Sequence, residues 1–148
     1  MAYADNPKSY FDYEILEKIE AGIVLGGHET KAIKAGKASI RGAYIKILNN
    51  EAYLVGAIIS PYQAGNVPKD YDEQKNRKLL LSKKELRYLI DKSEEKGLTL
   101  VPVKLYAKGG LIKLEIAIAK GKKQYDKRES IKKREVEKTI KRKIKATL

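Results

Sequence analysis

Alternation of apolar and polar side chains predicts a β-hairpin between residues 98 and 119. One strand is expected from Leu100 to Tyr106 and the return strand from Leu111 to Ala119. In the return strand every second residue is a large aliphatic one, which is the period of a strand with one buried face: Ile112, Leu114, Ile116 and Ile118. Gly109 and Gly110 between the strands can adopt the positive φ of a tight turn.

A second hairpin is predicted in the first half of the chain. Its strands run from Ala43 to Leu48 and from Ala52 to Ile59, around Asn49–Asn50. A further strand is expected from about Tyr13 to Leu25, although its isoleucine spacing suits a strand or a helix.

Two short helices are predicted. Ser82–Glu85 has the Ser-x-x-Glu pattern of a capping box, which starts a helix over Lys83–Lys96, and Gly97 suits its C-terminal end. The other helix runs from Gly27 to Ala35 and stops at Gly36.

The order of these elements predicts a mainly β protein. Residues 60–76 are polar and contain Gly and Pro, so they are expected to form a long exposed loop. Antiparallel strands with two inserted helices in a small body favour a closed β-barrel, because closure removes the open edges of a sheet. We expect a body over residues 1–119 and a basic tail over residues 120–148.

The distribution of charge along the chain indicates what kind of partner the protein binds. Lys and Arg number 32 against 19 Asp and Glu, which gives a net charge of +13. Residues 120–148 hold 13 of the basic and 4 of the acidic residues, a net of +9. A segment with so few apolar residues cannot form a core, so we expect the tail to be disordered when free and helical when bound. A polyanion, either nucleic acid or an anionic membrane, is the expected partner.

Composition argues against most catalytic and metal chemistry. The chain has no Cys and one His, His28, which excludes thiolate zinc sites and a cysteine nucleophile. No metal site and no cofactor are expected. Neither a membrane-spanning run nor a secretory signal is visible, so we expect a cytoplasmic protein. The 10 tyrosines could stack on bases or pack in the core, and core packing is favoured for Tyr44, Tyr53 and Tyr106. From the residues alone, a generic single-stranded nucleic-acid-binding barrel is a sufficient interpretation, and an RNA-modifying enzyme would lack a placed general base.

Several longer strings are more specific than composition. In order along the chain they are Glu20–Leu25, Gly27–Lys37, Pro61–Tyr62 with Gly65–Asn66, Arg77–Leu81 and Ala119–Arg128. In this order and at these separations they resemble the SmpB family of SsrA-binding proteins, and the resemblance covers nearly the whole chain.

The resemblance implies a fold, a function and a set of partners. The family folds as an antiparallel barrel related to the oligonucleotide-binding fold. It implies that the body binds the transfer-RNA-like domain of transfer-messenger RNA (tmRNA, or SsrA RNA) for trans-translation, which rescues stalled ribosomes. Further implied partners are the ribosome, chiefly its small-subunit RNA, and elongation factor Tu with alanyl-tmRNA. The protein is expected to act as a monomer and not as an enzyme.

The resemblance also implies which residues contact RNA. Glu20, Leu80 and Ser82 match the family's RNA-contacting positions. Since a carboxylate repels phosphate, Glu20 would accept hydrogen bonds from bases or ribose. Supporting phosphate contacts are expected from five cations: Lys31, Lys34, Lys37, Arg77 and Lys78.

The tail is implied to act on the ribosome. Gly121 to Tyr125 would cross the decoding centre, where the Tyr125 ring could stack on a base. Asp126 can cap a helix that lies in the empty message channel, whose RNA walls supply the polyanion. The tail residues expected to take part are Gly121, Lys122, Lys123, Tyr125, Asp126, Lys127, Arg128, Lys132, Lys133 and Arg134.

Overall fold

The computed structural model describes residues 2–7, 9, 12–63, 65 and 67–121. It contains nine strands and two helices in this part of the chain. The strands are β1 (Ala2–Asp5), β2 (Tyr13–Ile23), β3 (Ala38–Ser39), β4 (Tyr44–Leu48), β5 (Glu51–Val55), β6 (Ile58–Ile59), β7 (Arg77–Leu80), β8 (Leu98–Lys108) and β9 (Leu111–Gly121). The helices are α1 (Gly27–Lys34) and α2 (Lys83–Glu94).

Seven of the strands form one antiparallel sheet in the order β1-β8-β9-β2-β7-β5-β4, and β3 pairs with β6 in a second, two-stranded sheet. The mainly β class and the two helices agree with the sequence analysis. Closure into a barrel is not confirmed. The outermost strands, β1 and β4, are not paired with each other among the described residues, so the hydrogen-bonded order has two ends.

The hairpin of β8 and β9 is the framework of the sheet. Its pairing runs from Leu98 opposite Lys120 to Lys108 opposite Leu111. Gly109 and Gly110 close it with φ values of 58° and 80°, as the turn requires. The hairpin is longer than predicted, and β9 continues two residues past Ala119. In the first half of β9 alternate residues are buried because one face of the strand covers the core, and from Ile116 to Ala119 every residue is buried.

Pairing settles the ambiguity of the segment after Tyr13. β2 pairs with β9 from Tyr13 opposite Gly121 to Gly22 opposite Lys113, so the segment is a strand. The predicted second hairpin is also present, with Asn49 and Asn50 in the turn at φ values of 51° and 59°. It is shorter than expected, because β5 ends before Gly56 at a φ of 83°.

Both helices begin where the sequence predicts and end slightly earlier. α2 ends at Glu94 instead of Lys96, and α1 ends at Lys34 with Gly36 following at a φ of 79°. Each presents only a small buried face: Leu89 in α2, and Ala32 and Ile33 with the carboxylate of Glu29 in α1. The helices therefore cover the sheet without forming a separate core.

The hydrophobic core lies on the inner face of the seven-stranded sheet. Its fully buried aliphatic side chains come from both helices, both hairpins and the β3–β6 pair: Ile33, Ile40, Leu54, Ile59, Leu89, Leu105, Leu114, Ile116 and Ile118. The opposite, outer face carries the polar positions of the same strands.

Candidate nucleic-acid interface

A row of side chains crosses four strands on the outer face of the sheet. Leu80 of β7 lies opposite Gly22 of β2. Gly22 lies opposite Lys113 of β9, and Lys113 lies opposite Tyr106 of β8. Leu79, the neighbour of Leu80, is only 4% exposed and points into the core. Because successive strand residues alternate between faces, the row lies on the side away from the core.

The next row places two acids side by side. Glu20 of β2 lies directly opposite Glu115 of β9, and Glu115 lies opposite Lys104 of β8. Like charges in this position repel each other. Two lysines offset this repulsion at Glu115: the Nζ atoms of Lys104 and Lys18 lie 3.9 and 4.0 Å from its carboxylate oxygens. Glu20 has different partners.

Those partners are Tyr106 and Lys108. The Tyr106 hydroxyl donates a hydrogen bond to Glu20 Oε2, and Lys108 Nζ lies 3.4 Å from the same oxygen. The Tyr106 hydrogen bond lowers the pKa of Glu20 below its ordinary value. Partial desolvation opposes this effect, and the charges of Lys108 and Lys113 add to it. An ionised carboxylate with 35% of the side chain exposed can accept hydrogen bonds from a base or a ribose and would repel a phosphate.

Leu80 is a large apolar side chain that lies 53% exposed on this face. It has room there because Gly22 has no side chain. A Cβ at position 22 would lie 3.2 Å from Leu80 Cβ, closer than ordinary van der Waals contact. The two residues line a groove of about 210 Å³ whose other walls include Leu111, Lys113 and Thr30. The groove offers apolar contact beside a cation.

Ser82 has the capping role that its motif predicts. Its Oγ accepts from the Glu85 amide at 3.1 Å, and the Ser82 amide donates to Glu85 Oε1 at 3.2 Å. Ser82 is exposed, so its hydroxyl proton can still be donated to a partner. The contact between Ser82 and RNA stays a prediction.

Three of the predicted phosphate contacts lie on or just after α1. Lys31 and Lys34 are exposed and three residues apart, so they share one face of the helix. Lys34 also follows the groove residue Thr30 by one turn. Lys37 is exposed and its Nζ donates to the Tyr62 carbonyl oxygen at 3.5 Å. All three cations are exposed and accessible to a phosphate backbone.

Lys78 is on the outer face itself, two residues before Leu80 on β7. Its Nζ lies 3.1 Å from Glu51 Oε1 on β5. The Tyr53 hydroxyl donates to the other Glu51 oxygen at 2.6 Å. Since the lysine side chain is 46% exposed, this ion pair is weak and can be exchanged for a phosphate.

The sequence predicts a phosphate contact for Arg77, but this side chain is buried, with 0% exposure. Its Nε donates to Glu29 Oε2 at 2.9 Å, and Nη2 donates to the Tyr71 hydroxyl at 3.3 Å. The other three N–H groups donate at 2.9 to 3.0 Å to the carbonyl oxygens of Ala57, Glu73 and Lys75. A guanidinium has about five N–H donors, and all of them are used inside the protein. Arg77 is therefore a structural residue, and the phosphate contact predicted for it is wrong.

Glu29 is the counter-ion of Arg77 and is itself 1% exposed. Burial would raise its pKa, but the hydrogen bond from the Gly26 amide and the charge and hydrogen bond of Arg77 hold the pKa below its ordinary value. Lys75 Nζ, at 3.5 Å from Oε1, acts in the same direction. The Tyr71 hydroxyl donates to the Ile59 carbonyl at 2.8 Å and lies 3.2 Å from Glu29 Oε2. The cluster joins α1 to β7 and to the segment before it.

Other chemistry finds little support in the described residues. His28 packs edge-to-face against Tyr71, with ring centroids 4.7 Å apart. Among residues 2–7, 9, 12–63, 65 and 67–121, no group of three or more His, Cys, Asp or Glu side chains could hold a metal ion. Neither helix of this part of the chain has the length and apolar character to cross a bilayer.

Sequence reasoning missed the residues that surround Glu20 and Leu80. These are Gly22, Tyr106, Lys108 and Lys113. The alternation of β9 already placed Lys113 on the polar face, whereas the sequence favoured core packing for Tyr106, whose hydroxyl instead donates to Glu20. What the sequence lacks is the register between β2 and β9, which brings them to Glu20. The residues after Gly121, from Lys122 to Arg134 and beyond, lie outside the described part of the chain. Gly121 itself is the exposed last residue of β9.

Comparison with known proteins identifies the family of this chain. A family model described as SmpB protein matches residues 3–146. The chain belongs to the SmpB family. The match begins in β1 and extends beyond β9, so it includes every strand and helix that carries the interface, together with the basic segment that follows.

Individual SmpB relatives agree over nearly the full length. An SsrA-binding protein of Fusobacterium nucleatum is 48% identical over 145 residues, which are 98% of this chain and 97% of the relative. An SsrA-binding protein of Carboxydothermus hydrogenoformans is 48% identical over 143 residues, covering 97% of this chain and 95% of the relative. Another, from Trichodesmium erythraeum, is 47% identical over 142 residues, 96% and 91% of the two chains.

The fold also matches a solved SmpB structure. A chain of the structure described as "tmRNA-SmpB: a journey to the center of the bacterial ribosome" superposes with a TM-score of 0.67. It is 42% identical to this chain, and the match covers 86% of this chain and 92% of that one.

Proposed function

We propose that this protein binds tmRNA for trans-translation and brings it to stalled ribosomes. The observation that carries this proposal is the match to a solved tmRNA-SmpB structure at 42% identity over 86% of the chain. The outer face supports the RNA part of it. That face joins an ionised acceptor, an exposed apolar side chain and several lysines, which together suit base, ribose and phosphate contacts.

The RNA surface is centred on Glu20 and Leu80, which lie on the neighbouring strands β2 and β7. Glu20 accepts hydrogen bonds from base or ribose donors of the transfer-RNA-like domain. Leu80 packs against an unstacked base or a sugar at the groove above Gly22. The Ser82 hydroxyl extends the contact from the end of α2. Phosphate contacts come from the exposed lysines Lys31, Lys34, Lys37 and Lys78.

The basic tail acts on the ribosome. Its net charge of +9 suits the RNA walls of an empty message channel, and the decoding centre would be crossed by the segment that begins at Gly121. In this proposal the part of the tail that follows β9 becomes helical there, and elongation factor Tu with alanyl-tmRNA completes the delivery complex. The protein works as a cytoplasmic monomer and makes or breaks no bond itself.

The sheet in this proposal wraps round the core as an oligonucleotide-binding-type barrel. β4 packs beside β8 on the far side of the sheet order, which supports the proposal although no ladder joins β4 to β1 among the described residues.

Sequencing the RNA that co-purifies with the protein tests the proposed function. The proposal predicts one dominant structured RNA that carries a transfer-RNA-like end. A heterogeneous set of single-stranded RNAs would instead favour the generic single-strand-binding protein. Incubation with labelled RNA should give neither cleavage nor a covalent adduct, and either product would contradict the non-enzymatic role.

A further inference from the structure

Tyr106 and Glu20 are joined across an intervening strand. β8 and β2 both pair with β9 and not with each other, so they are separated by roughly 10 Å, twice the spacing of paired strands. The Tyr106 ring spans this gap and its hydroxyl donates to Glu20 Oε2. A long and rigid side chain is needed for such a contact, and Tyr provides one with two rotatable bonds.

The hydrogen bond from Tyr106 uses only one of the two carboxylate oxygens of Glu20. Tyr106 and Lys108 both contact Oε2, and Oε1 has no hydrogen-bond partner in the part of the chain that the structure describes. The side chain is 35% exposed. A glutamate on an open strand face would otherwise sample several rotamers and turn towards whichever lysine is near. Here one oxygen is fixed and the other is presented to the outside.

The tyrosine is itself well placed. It is the ninth residue of the eleven-residue strand β8, and Lys104 Nζ lies 5.6 Å from the centroid of its ring. The charged groups that face Glu20 are Lys108, Lys113 and Glu115. The lysines are flexible, whereas the phenol is not, so Tyr106 is the contact that determines the direction of the carboxylate.

We propose that Tyr106 is a positioning residue for RNA recognition, whose hydroxyl fixes the Glu20 carboxylate so that Oε1 accepts a base or ribose donor of the RNA. This inference rests on the RNA contact that the proposed function gives to Glu20. Tyr106 acts through Glu20 and does not touch the RNA through its own hydroxyl.

Protonation supports the assigned direction of the bond. Burial, the hydrogen bond to Glu20 and the charges of Glu20 and Glu115 raise the pKa of Tyr106 well above its ordinary value of 10.0. The same hydrogen bond is the largest cause that lowers the pKa of Glu20. At neutral pH Tyr106 is therefore the donor and Glu20 the ionised acceptor.

The first measurement is the affinity of the full chain for the transfer-RNA-like domain of tmRNA. Tyr106→Phe keeps the ring and removes only the hydroxyl, and we expect it to weaken binding by about 5- to 20-fold, as expected for a lost bond to a charged group. Tyr88→Phe is the matched control. It removes the hydrogen bond that Tyr88 of α2 donates to Glu17, which lies on the same strand as Glu20, and it should change affinity by less than about 2-fold.

A double-mutant cycle separates positioning from direct contact. If Tyr106 acts only through Glu20, adding Tyr106→Phe to Glu20→Ala should have no further effect. If the double variant instead loses affinity by the product of the two single losses, the Tyr106 hydroxyl contacts RNA itself and the proposal is overturned. If Glu20→Ala weakens binding and Tyr106→Phe does not, this inference fails and the proposed function stands. If Glu20→Ala has no effect, the Glu20 contact of the proposed function fails, and this inference with it.

An NMR titration of the Glu20 side-chain carboxyl in the free protein gives a readout that a general packing role would not change. The pKa of Glu20 should rise towards 4.5 in Tyr106→Phe and should not move in Tyr88→Phe. An unchanged pKa of Glu20 in Tyr106→Phe would show that the hydroxyl does not hold the carboxylate, and would contradict the proposal.

Discussion

Arg77 and Glu29 form a buried ion pair between β7 and α1, with Nε 2.9 Å from Oε2 and side-chain exposures of 0% and 1%. The pair joins residues that are 48 positions apart in the sequence. Because Arg77 is on the same strand as Lys78 and Leu80, the pair anchors the strand of the proposed RNA surface from its buried side. We infer that the Arg77–Leu81 motif combines a structural residue with two exposed ones.

Replacing Arg77 should destabilise the protein far more than replacing its neighbour. Arg77→Met removes the buried counter-ion of Glu29 and leaves that carboxylate with Lys75 and the Gly26 amide as charge and hydrogen-bond partners, which costs about 3–5 kcal/mol. Lys78→Met removes an exposed ion pair worth about 0–1 kcal/mol. Urea unfolding of both variants checks this difference. Equal losses would contradict the structural role of Arg77.

Glu29 should make stability depend on pH on the acid side. Its pKa is lowered on folding, so its contribution is fully present above the unfolded value near 4.5 and is lost as pH falls through the lower folded pKa. We therefore expect the free energy of unfolding of wild type to exceed that of Glu29→Gln by a constant amount between about pH 6 and 7. The excess should shrink below about pH 4.5, as measured by urea unfolding at several pH values. A difference that does not change with pH would show that Glu29 is not ionised in the folded protein.

Gly22 should be needed for the shape of the RNA surface. A side chain there meets Leu80 Cβ at 3.2 Å, so Gly22→Val displaces Leu80 and fills the groove. We expect RNA affinity to fall roughly tenfold, or about 1.4 kcal/mol. A strand accommodates Val well, so stability should change by less than about 1 kcal/mol. Gly27→Ala is the control, because a Cβ at position 27 meets nothing within 4 Å. Similar RNA affinities for the two variants would contradict a role of the groove in RNA binding.

Local patterns predicted the elements whose signals lie within a few residues. The β8–β9 hairpin follows from alternation and two glycines, and α2 follows from the Ser82–Glu85 box. The sequence did not predict β7, because its charged and apolar side chains face the opposite sides from those expected. Arg77 points inward although it is charged, and Leu80 points outward although it is apolar. The buried Arg77 is stable because the distant Glu29, the Tyr71 hydroxyl and three backbone carbonyls accept its N–H groups, and nothing local in the sequence indicates Glu29.

The interface could be predicted only in part for the same reason. Glu20 and Leu80 came from the family resemblance, and the structure places them on neighbouring strands. Tyr106 and Gly22 complete the surface through cross-strand register, which a one-residue slip would change entirely. Tyr44, for which the sequence favours core packing, is 52% exposed because its side of β4 faces outward.

RNA binding and ribosome rescue should separate at the tail. Truncation after Gly121 keeps all nine described strands and removes most of the basic surplus. Affinity for the transfer-RNA-like domain should fall only modestly at physiological salt, where screening limits distant charges to about 8 Å. Peptide tagging on stalled ribosomes should be abolished. Gel shift and a reconstituted tagging assay on the same protein check both parts. Retained tagging, or lost RNA binding, would contradict the assignment of RNA binding to the body and of tagging to the tail.

The central claim is that the RNA surface lies around Leu80, and a comparison of two leucines tests it most directly. Leu80 and Leu48 are 53% and 51% exposed and both lie on outer strand faces, but Leu48 is on the edge strand β4, which β5 separates from β7. Covering the exposed half of a leucine is worth about 1–1.5 kcal/mol, so Leu80→Ala should weaken binding of the tmRNA transfer-RNA-like domain roughly fivefold to tenfold. Leu48→Ala should leave the dissociation constant within about 2-fold of wild type. Equal affinities of the two variants, or a larger loss for Leu48→Ala, would contradict the account.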